Sequence, residues 1–317
     1  MTDAIVVGCG VSGLSSAIRL QEAGFAVRII ARDIPPRTTS DVAGAIWHPI
    51  SAEHLPNGLR WAAECREELL RLMDVPKSGV TMLHLLEPLE ESQGGGRWME
   101  MVADVREVPE DELPPGYALG YRYQIPLIET PIYMPYLVGR FLAGGGQIQQ
   151  ALVSDLGKFT GPDRLVVNCT GAWAGKLTGD SRVFPIRGQI LRLPPQPQIS
   201  RGFHCHSGSL GFTYVFPRSQ DCLLGGTSEV GSWSERPNPA TTAAIRGRCA
   251  SVDRSLADAE VIDVRVGLRP GRDEVRLELE ETANGPVIHN YGHGGIGFTL
   301  SWGCANDVAQ LAKEWFR

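Results

Sequence analysis

AIVVGCGVSGLSSAIRLQEAGFAVRIIARD, residues 4–33, is the stretch that decides the fold. Ala4 to Val7 is a short apolar run of the kind found in a buried parallel strand. It leads into Gly8-Cys9-Gly10-Val11-Ser12-Gly13, a G-x-G-x-x-G. A helix is expected next, with Leu14, Ala17, Ile18 and Leu20 on its inner face. Gly24 should end that helix as a left-handed C-cap. A second apolar strand runs from Val27 to Ala31, and Asp33 lies 20 residues beyond Gly13. Each glycine has a physical reason. Gly8 permits the tight turn, Gly10 lets a pyrophosphate approach the backbone, and Gly13 lets helix and strand pack closely. Val11 and Ser12 open the helix, whose free N–H groups and positive pole suit phosphate. The pattern predicts a dinucleotide site and leaves FAD and NAD both open.

The rest of the chain sets bounds on this reading. It has 317 residues, 43% hydrophobic and 21% charged, the composition of an ordinary globular protein. A net charge of −6 with no basic run argues against a nucleic-acid surface. No apolar stretch approaches the ~18–20 residues of a membrane span. The N-terminal segment reads as a strand rather than a leader, and Glu314-Trp315-Phe316-Arg317 is not a peroxisomal signal. A cytoplasmic protein is expected. Seven scattered cysteines without C-x-x-C suit a reducing compartment and no metal-thiolate site.

Strand, glycine-bearing turn and helix recur in two later places. Ile148 to Val153 and Leu165 to Asn168 read as strands, the latter running into Cys169-Thr170-Gly171. Val287 to Asn290 runs into Tyr291-Gly292-His293-Gly294-Gly295-Ile296-Gly297, with a closing helix expected from about Trp302 to Trp315. One α/β, doubly wound Rossmann-like domain is therefore expected from discontinuous segments, residues 1–74, 131–182 and 263–317. Residues 75–130 and 183–262 carry many prolines and strands such as Ile190-Leu191-Arg192-Leu193 and Cys222-Leu223-Leu224. They should form a second, α+β domain with a mostly antiparallel sheet. These boundaries are set to within about ten residues.

Eight strings occur in one order: VVGCGVSGL, TTSDVAGAIWHP (38–49), VVNCTGAWAG (166–175), RGQI (187–190), TYVFP (213–217), LLGGT (223–227), VGLRP (266–270) and HNYGHGGIGFTLSWGCA (289–305). In these the chain resembles the D-amino-acid oxidase family over nearly its whole length. The resemblance implies an oxidase with non-covalent FAD, acting on a D-amino acid and dioxygen, with a homodimer left open. It makes Arg269 and Tyr214 the catalytic and substrate-binding pair on the substrate carboxylate, with the Gly295 carbonyl on the amine. A guanidinium suits that task because it grips a planar carboxylate through two parallel bonds. Contacts to FAD would come from Gly8, Gly10, Val11, Ser12, Gly13, Arg32 and Asp33. Thr38, Thr39, Ser40, Gly44, Ala45 and Ile46 would continue the cradle. Val153, Gly171 and Trp173 would cover adenine and ribose. Arg269, Gly294, Gly295, Gly297, Phe298 and Thr299 would lie against the flavin ring. His293 offers a general base, though flavin oxidation of an amine needs no strong side-chain base near the carbon.

Two positions depart from the pattern of animal relatives. Arg32 stands where their ribose-binding acid follows the second strand, with Asp33 next. Leu210 stands where they carry an extra tyrosine four residues before Tyr214. The family's acidic-substrate members place an arginine just after G-G-T, and here Ser228 and Glu229 follow. Neutral, apolar substrates are therefore expected, in a pocket lined by Ile46, Leu210 and Phe212. Arg218, Arg201 or His206 would be the alternative partner for an acidic side chain. A D-aspartate oxidase, a dehydrogenase with another electron acceptor, and a non-catalytic nucleotide-binding protein are the competing readings.

Overall fold

A computed structural model of the chain describes residues 3–90, 96–161 and 163–317. Its first sheet has six strands. β1 (Asp3–Val7), β2 (Ala26–Ala31), β6 (Gln147–Gln150), β7 (Arg164–Asn168) and β15 (Gly285–Tyr291) are parallel, and β14 (Arg276–Thr282) runs antiparallel on one edge. The spatial order is β14-β15-β7-β1-β2-β6. Four of the five residues of β1 are buried, as a strand covered on both faces requires. β1, β2 and β7 end together, with Val7 opposite Ile30 and Asn168, and His289 of β15 is also opposite Asn168. That register brings the turns after β1, β7 and β15 to one carboxyl edge, where open α/β sheets hold their ligands.

Helices α1 (Val11–Glu22), α3 (Gly58–Met73) and α7 (Gly297–Trp315) pack together beside this sheet. Leu14, Ala17, Ile18 and Leu20 of α1 are fully buried, each larger side chain worth about 1.5–3 kcal/mol in area removed from water. Gly24 has φ +93° and closes the turn after α1 as expected. α7 starts five residues earlier than its periodicity suggested, at Gly297 and not near Trp302. Its first turn is glycine-bearing and reads as loop, yet Phe298, Thr299, Leu300 and Ser301 are all buried in helix. Trp302 is fully buried, and its Nε1–H donates to the Tyr133 hydroxyl at 2.8 Å. A Cβ at Gly303 would lie 2.4 Å from the Trp61 Cα, so only glycine lets α7 close onto α3.

The second sheet has nine strands: β3 (Val80–Leu89), β4 (Ala103–Glu107), β5 (Leu119–Ile128), β8 (Phe184–Leu193), β9 (Gly202–Cys205), β10 (Thr213–Pro217), β11 (Cys222–Gly225), β12 (Glu229–Val230) and β13 (Asp263–Gly271). All pairs are antiparallel except β3 with β9. β13 pairs with β8 along its whole length, Asp263 opposite Arg192 and Gly271 opposite Phe184. The chain returns to the first sheet only after Gly271. The alternation of small, charged and apolar residues in β13 suits either sheet.

A short segment joins the two layers. After α2 (Thr39–Val42), the Ala45 carbonyl accepts the Ile128 N–H at 2.8 Å, and the Trp47 N–H donates to the Pro126 carbonyl at 2.9 Å. This lays a loop from the first sheet along the edge of β5 in the second. All seven cysteines are free and buried. Among the described residues no helix is long and apolar enough to cross a membrane.

Candidate active site

Between the carboxyl edge of the first sheet and the face of the second lies a cavity of ≈ 1070 Å³. Ordinary small-ligand pockets run to about 300–1,000 Å³, so this one is at the large end and suits a large ligand. Every residue expected to touch FAD or the substrate's carboxylate and amine lines it except Gly13. Gly13 stands behind the wall: a Cβ there would lie 2.1 Å from the Gly8 carbonyl oxygen. Gly8 has φ +119° and its own Cβ position is blocked by the Cys169 carbonyl at 2.3 Å. These contacts press α1, β1 and the turn after β7 into one tight floor.

The N-terminus of α1 opens onto that floor. Its Val11 N–H donates to Ser40 Oγ at 2.9 Å, while the N–H groups of Ser12 and Gly13 have no acceptor among the described residues. The positive pole of α1 therefore meets the cavity with donors to spare. At the outer end Arg32 is paired with Asp33 at 2.5 Å and lies over the Trp173 ring at 4.4 Å. Thr38 donates to Asp41 through its N–H and its hydroxyl, fixing the short α2 turn. The Thr299 hydroxyl is engaged with the His48 backbone N–H at 3.0 Å, so its side chain is not free for a ligand.

Three buried side-chain polar atoms lack a protein partner among the described residues, and two of them, Asn290 Oδ1 and His293 Nε2, belong to residues lining this cavity. Buried polar atoms are almost always paired, so these two, shielded within the wall of the cavity, are exceptions. Burial pushes the His293 imidazole down to about 4, which leaves it neutral at pH 7.

The opposite part of the cavity is built on β13, β10 and the turn after β15. Arg269 of β13 donates from Nη1 to the Thr227 carbonyl at 2.9 Å. It has this position because Gly188 on β8 lies beneath it: a Cβ there would be 2.4 Å from Nη1. Arg32 and Arg272, which also line the cavity, are each held by a carboxylate, Asp33 and Asp180. Arg269 has no carboxylate partner among the described residues. Tyr214 is 4% exposed, and Gly225 makes room for its ring, since a Cβ there would lie 1.9 Å from Cζ. Burial raises the Tyr214 hydroxyl above its usual range, only partly offset by the charge of Arg269, so it remains a donor at neutral pH. Gly295 packs against Arg269, its Cβ position 3.7 Å from Cδ.

Several expectations need correction. Leu210 is not a pocket residue; it is buried in a separate apolar cluster, and its N–H donates to the Tyr117 hydroxyl at 3.1 Å. Tyr117 also donates to the Ser207 carbonyl, which pins the segment before β10 away from the cavity. Ile46 and Phe212 do line it. Glu229 turns away to Arg187 at 2.6 Å. Arg218 is buried in a two-bond pairing with Asp221, and neither it nor Arg201 reaches the cavity. Only His206 of the three alternative cations lines it. The sequence reading missed His48 and His204, which also form the wall and gather around the fully buried Glu87. Burial would raise the Glu87 carboxyl, but His48 and His204 outweigh it and hold it well below the usual carboxylate range.

The family model of FAD dependent oxidoreductases (DAO) matches residues 3–311. The chain belongs to this family. A D-amino-acid oxidase of Rubrobacter xylanophilus is 49% identical over 311 residues, which cover 98% of this chain and 95% of the relative. A D-aspartate oxidase of Homo sapiens is 33% identical, covering 98% and 94%. The glycine oxidase structure from Geobacillus kaustophilus shares the fold with a TM-score of 0.80, at 18% identity over 99% of this chain and 95% of that one. FAD is thus the cofactor of this oxidoreductase, and the cavity fits it. The glycine floor admits a pyrophosphate, and the α1 terminus offers unspent donors.

Proposed function

We propose that this FAD dependent oxidoreductase is a D-amino-acid oxidase that deaminates neutral, apolar D-amino acids. The observation that carries the reading is Arg269, a guanidinium in the cavity wall with no carboxylate of its own, beside a protonated Tyr214. A nucleotide-binding protein without catalysis has no use for such a clamp. The 49% identity to a D-amino-acid oxidase supports the same activity.

The dinucleotide would be held by Gly8, Gly10, Val11 and Ser12 at the α1 terminus, by Arg32, Asp33, Val153, Gly171 and Trp173 at the outer end, and by Thr38 to Ile46 and Gly294 to Thr299 around the ring. When bound, FAD supplies the oxidation, taking up the hydride of the Cα–H bond and returning its electrons to dioxygen as hydrogen peroxide. Arg269 grips the substrate carboxylate through two N–H groups, and Tyr214 donates a third hydrogen bond. The Gly295 carbonyl accepts from the amine. With both ends pinned, only one enantiomer turns its Cα hydrogen toward the ring, so orientation supplies both the rate and the stereochemistry. The imino acid leaves and is hydrolysed by water to the 2-oxo acid and ammonia. Burial makes His293 a weak base, its imidazole pushed down to about 4, and this oxidation asks no side-chain base of it.

Adding D-alanine under nitrogen should bleach the yellow protein, and admitting air should restore the colour. A colour that does not bleach would make the chain a binding protein. Bleaching without recovery in air would make it a dehydrogenase with another acceptor.

The flavin is held without a covalent bond. Cys9 and Cys169 line the cavity, but burial pushes both thiols up to about 12, far from the thiolate that attachment needs. Acid precipitation should leave the yellow colour in the supernatant, and a yellow pellet would refute this.

D-Alanine, D-valine and D-methionine should exceed D-aspartate in kcat/KM by at least ~30-fold, because an unpaired side-chain carboxylate costs ~2 kcal/mol or more to bury. Ser228 lines the cavity where an arginine would be needed. His206 does not serve instead: its ring opens to the cavity and has only single-point donors, so it cannot grip a side-chain carboxylate through two parallel bonds as a guanidinium does. Steady-state efficiencies at one pH test this, and equal or better use of D-aspartate would make the D-aspartate oxidase reading the right one.

A further inference from the structure

Four side chains from three distant segments meet on the cavity wall: His48 after the Ile46 bridge, Glu87 on β3, His204 on β9 and His206 just beyond it. The oxidation described above gives none of them a chemical task. We propose that His48, Glu87, His204 and His206 form a binding site for a divalent transition-metal ion of the zinc class, beside Phe212 and Tyr214.

One ring nitrogen from each histidine and one Glu87 oxygen all lie within 4.8 Å of one another. Two of these separations are already close to those of a metal polyhedron. His48 Nε2 is 3.1 Å from Glu87 Oε1, and His204 Nδ1 is 2.9 Å from the same oxygen. Ligands about 2.0–2.2 Å from a tetrahedral zinc are roughly 3.3 Å from each other, so the wider separations, up to 4.8 Å, must close by as much as ~1.5 Å to complete the set. Three imidazoles and a carboxylate are the donors that such ions prefer over magnesium or calcium.

The support is built in. Tyr123 donates its hydroxyl to the second Glu87 oxygen, the kind of outer contact that orients a ligating carboxylate. The His48 backbone is fixed by Thr299. The rings are packed edge to face, His48 to His204 at 4.7 Å and His204 to His206 at 4.3 Å between centroids. His206 is the exposed member, has no hydrogen bond among the described residues, and lines the cavity, so an ion can enter past it. Without metal, protons lie between Glu87 and the two nearer imidazoles. When the ion binds, each ligating ring nitrogen must present its lone pair, so a proton on it leaves for the other ring nitrogen or for solvent, while Glu87 remains a carboxylate.

Titration calorimetry of zinc chloride into the flavin-loaded protein tests the site. One equivalent should bind, and His206→Ala should weaken it by at least ~100-fold, since even outer-shell changes cost 10–100-fold. His84→Ala, an exposed histidine on β3 outside the cluster, should leave it unchanged. The exposed, unbonded ring of His206 makes that variant safe for folding, which its melting temperature checks. Absence of a binding step, or equal affinity in His206→Ala, overturns the proposal and leaves the cluster as a hydrogen-bonded wall. A zinc-edge absorption spectrum of the complex guards against a site elsewhere, and fewer than two imidazole ligands there would also overturn it.

Discussion

Arg269→Lys lowers the efficiency of anaerobic flavin reduction by D-alanine at least ten- to a hundredfold, corresponding to ~1.5–3 kcal/mol for a charge-assisted pair. The wild-type guanidinium can hold the Thr227 carbonyl with one edge and keep the other for the substrate. Lysine has a single nitrogen on a longer, freer stem and cannot do both at once. It therefore loses one of two parallel bonds to the carboxylate and leaves the substrate free to rotate about the other. That rotation carries the Cα hydrogen away from the ring, so the maximal reduction rate falls together with the binding constant. Rapid-mixing absorbance at varied D-alanine separates the two. A variant with both constants unchanged would remove Arg269 from the clamp.

Gly13→Ala carries the second large effect, and it acts without touching the cavity. The new methyl would sit 2.1 Å from the Gly8 carbonyl oxygen and 2.8 Å from its carbon. Backbone atoms at a strand end cannot swing aside as a side chain can, so α1 must lift from β1. Overpacking of this kind costs ~1–3 kcal/mol, and at about 2–4 °C per kcal/mol the melting temperature drops by several degrees. Because Gly8 is displaced as well, the protein also retains less flavin after gel filtration. Gly139→Ala is the control, an open position within α4 (Thr130–Ala143) where nothing lies within 4 Å and alanine favours helix. Equal melting of the two variants would refute the packing account.

The strand-turn-helix periodicity of residues 4–33 was legible because each local preference agrees with the global fold. The parallel strands, the left-handed Gly24 and the fully buried face of α1 all follow from it. The start of α7 was not legible, since glycines at Gly294, Gly295 and Gly297 are loop signals and only tertiary burial makes the next residues helical. Leu210 was misjudged because a position four residues before Tyr214 says nothing about the Tyr117 hydroxyl, which holds its N–H from another part of the chain. The histidine cluster was invisible for the same reason. Residues 48, 87 and 204 have no common spacing, and a lone histidine in an apolar string carries no signal until the sheet brings it to Glu87.

The six-stranded sheet has a consequence for biosynthesis. Its strands come from residues 3–31, 147–168 and 276–291, and the wall of the cavity is closed by the turn that follows and by α7. While the chain is still emerging from the ribosome, β1 and β2 can pair, but the neighbours of β7 on its other side do not yet exist. The parts of α1 and α3 that pack on α7 stay uncovered until α7 is made. The half-finished protein must therefore be shielded from aggregation for most of its synthesis. Capture of the cofactor becomes a late event, and flavin bound during refolding reports that the last segment has docked.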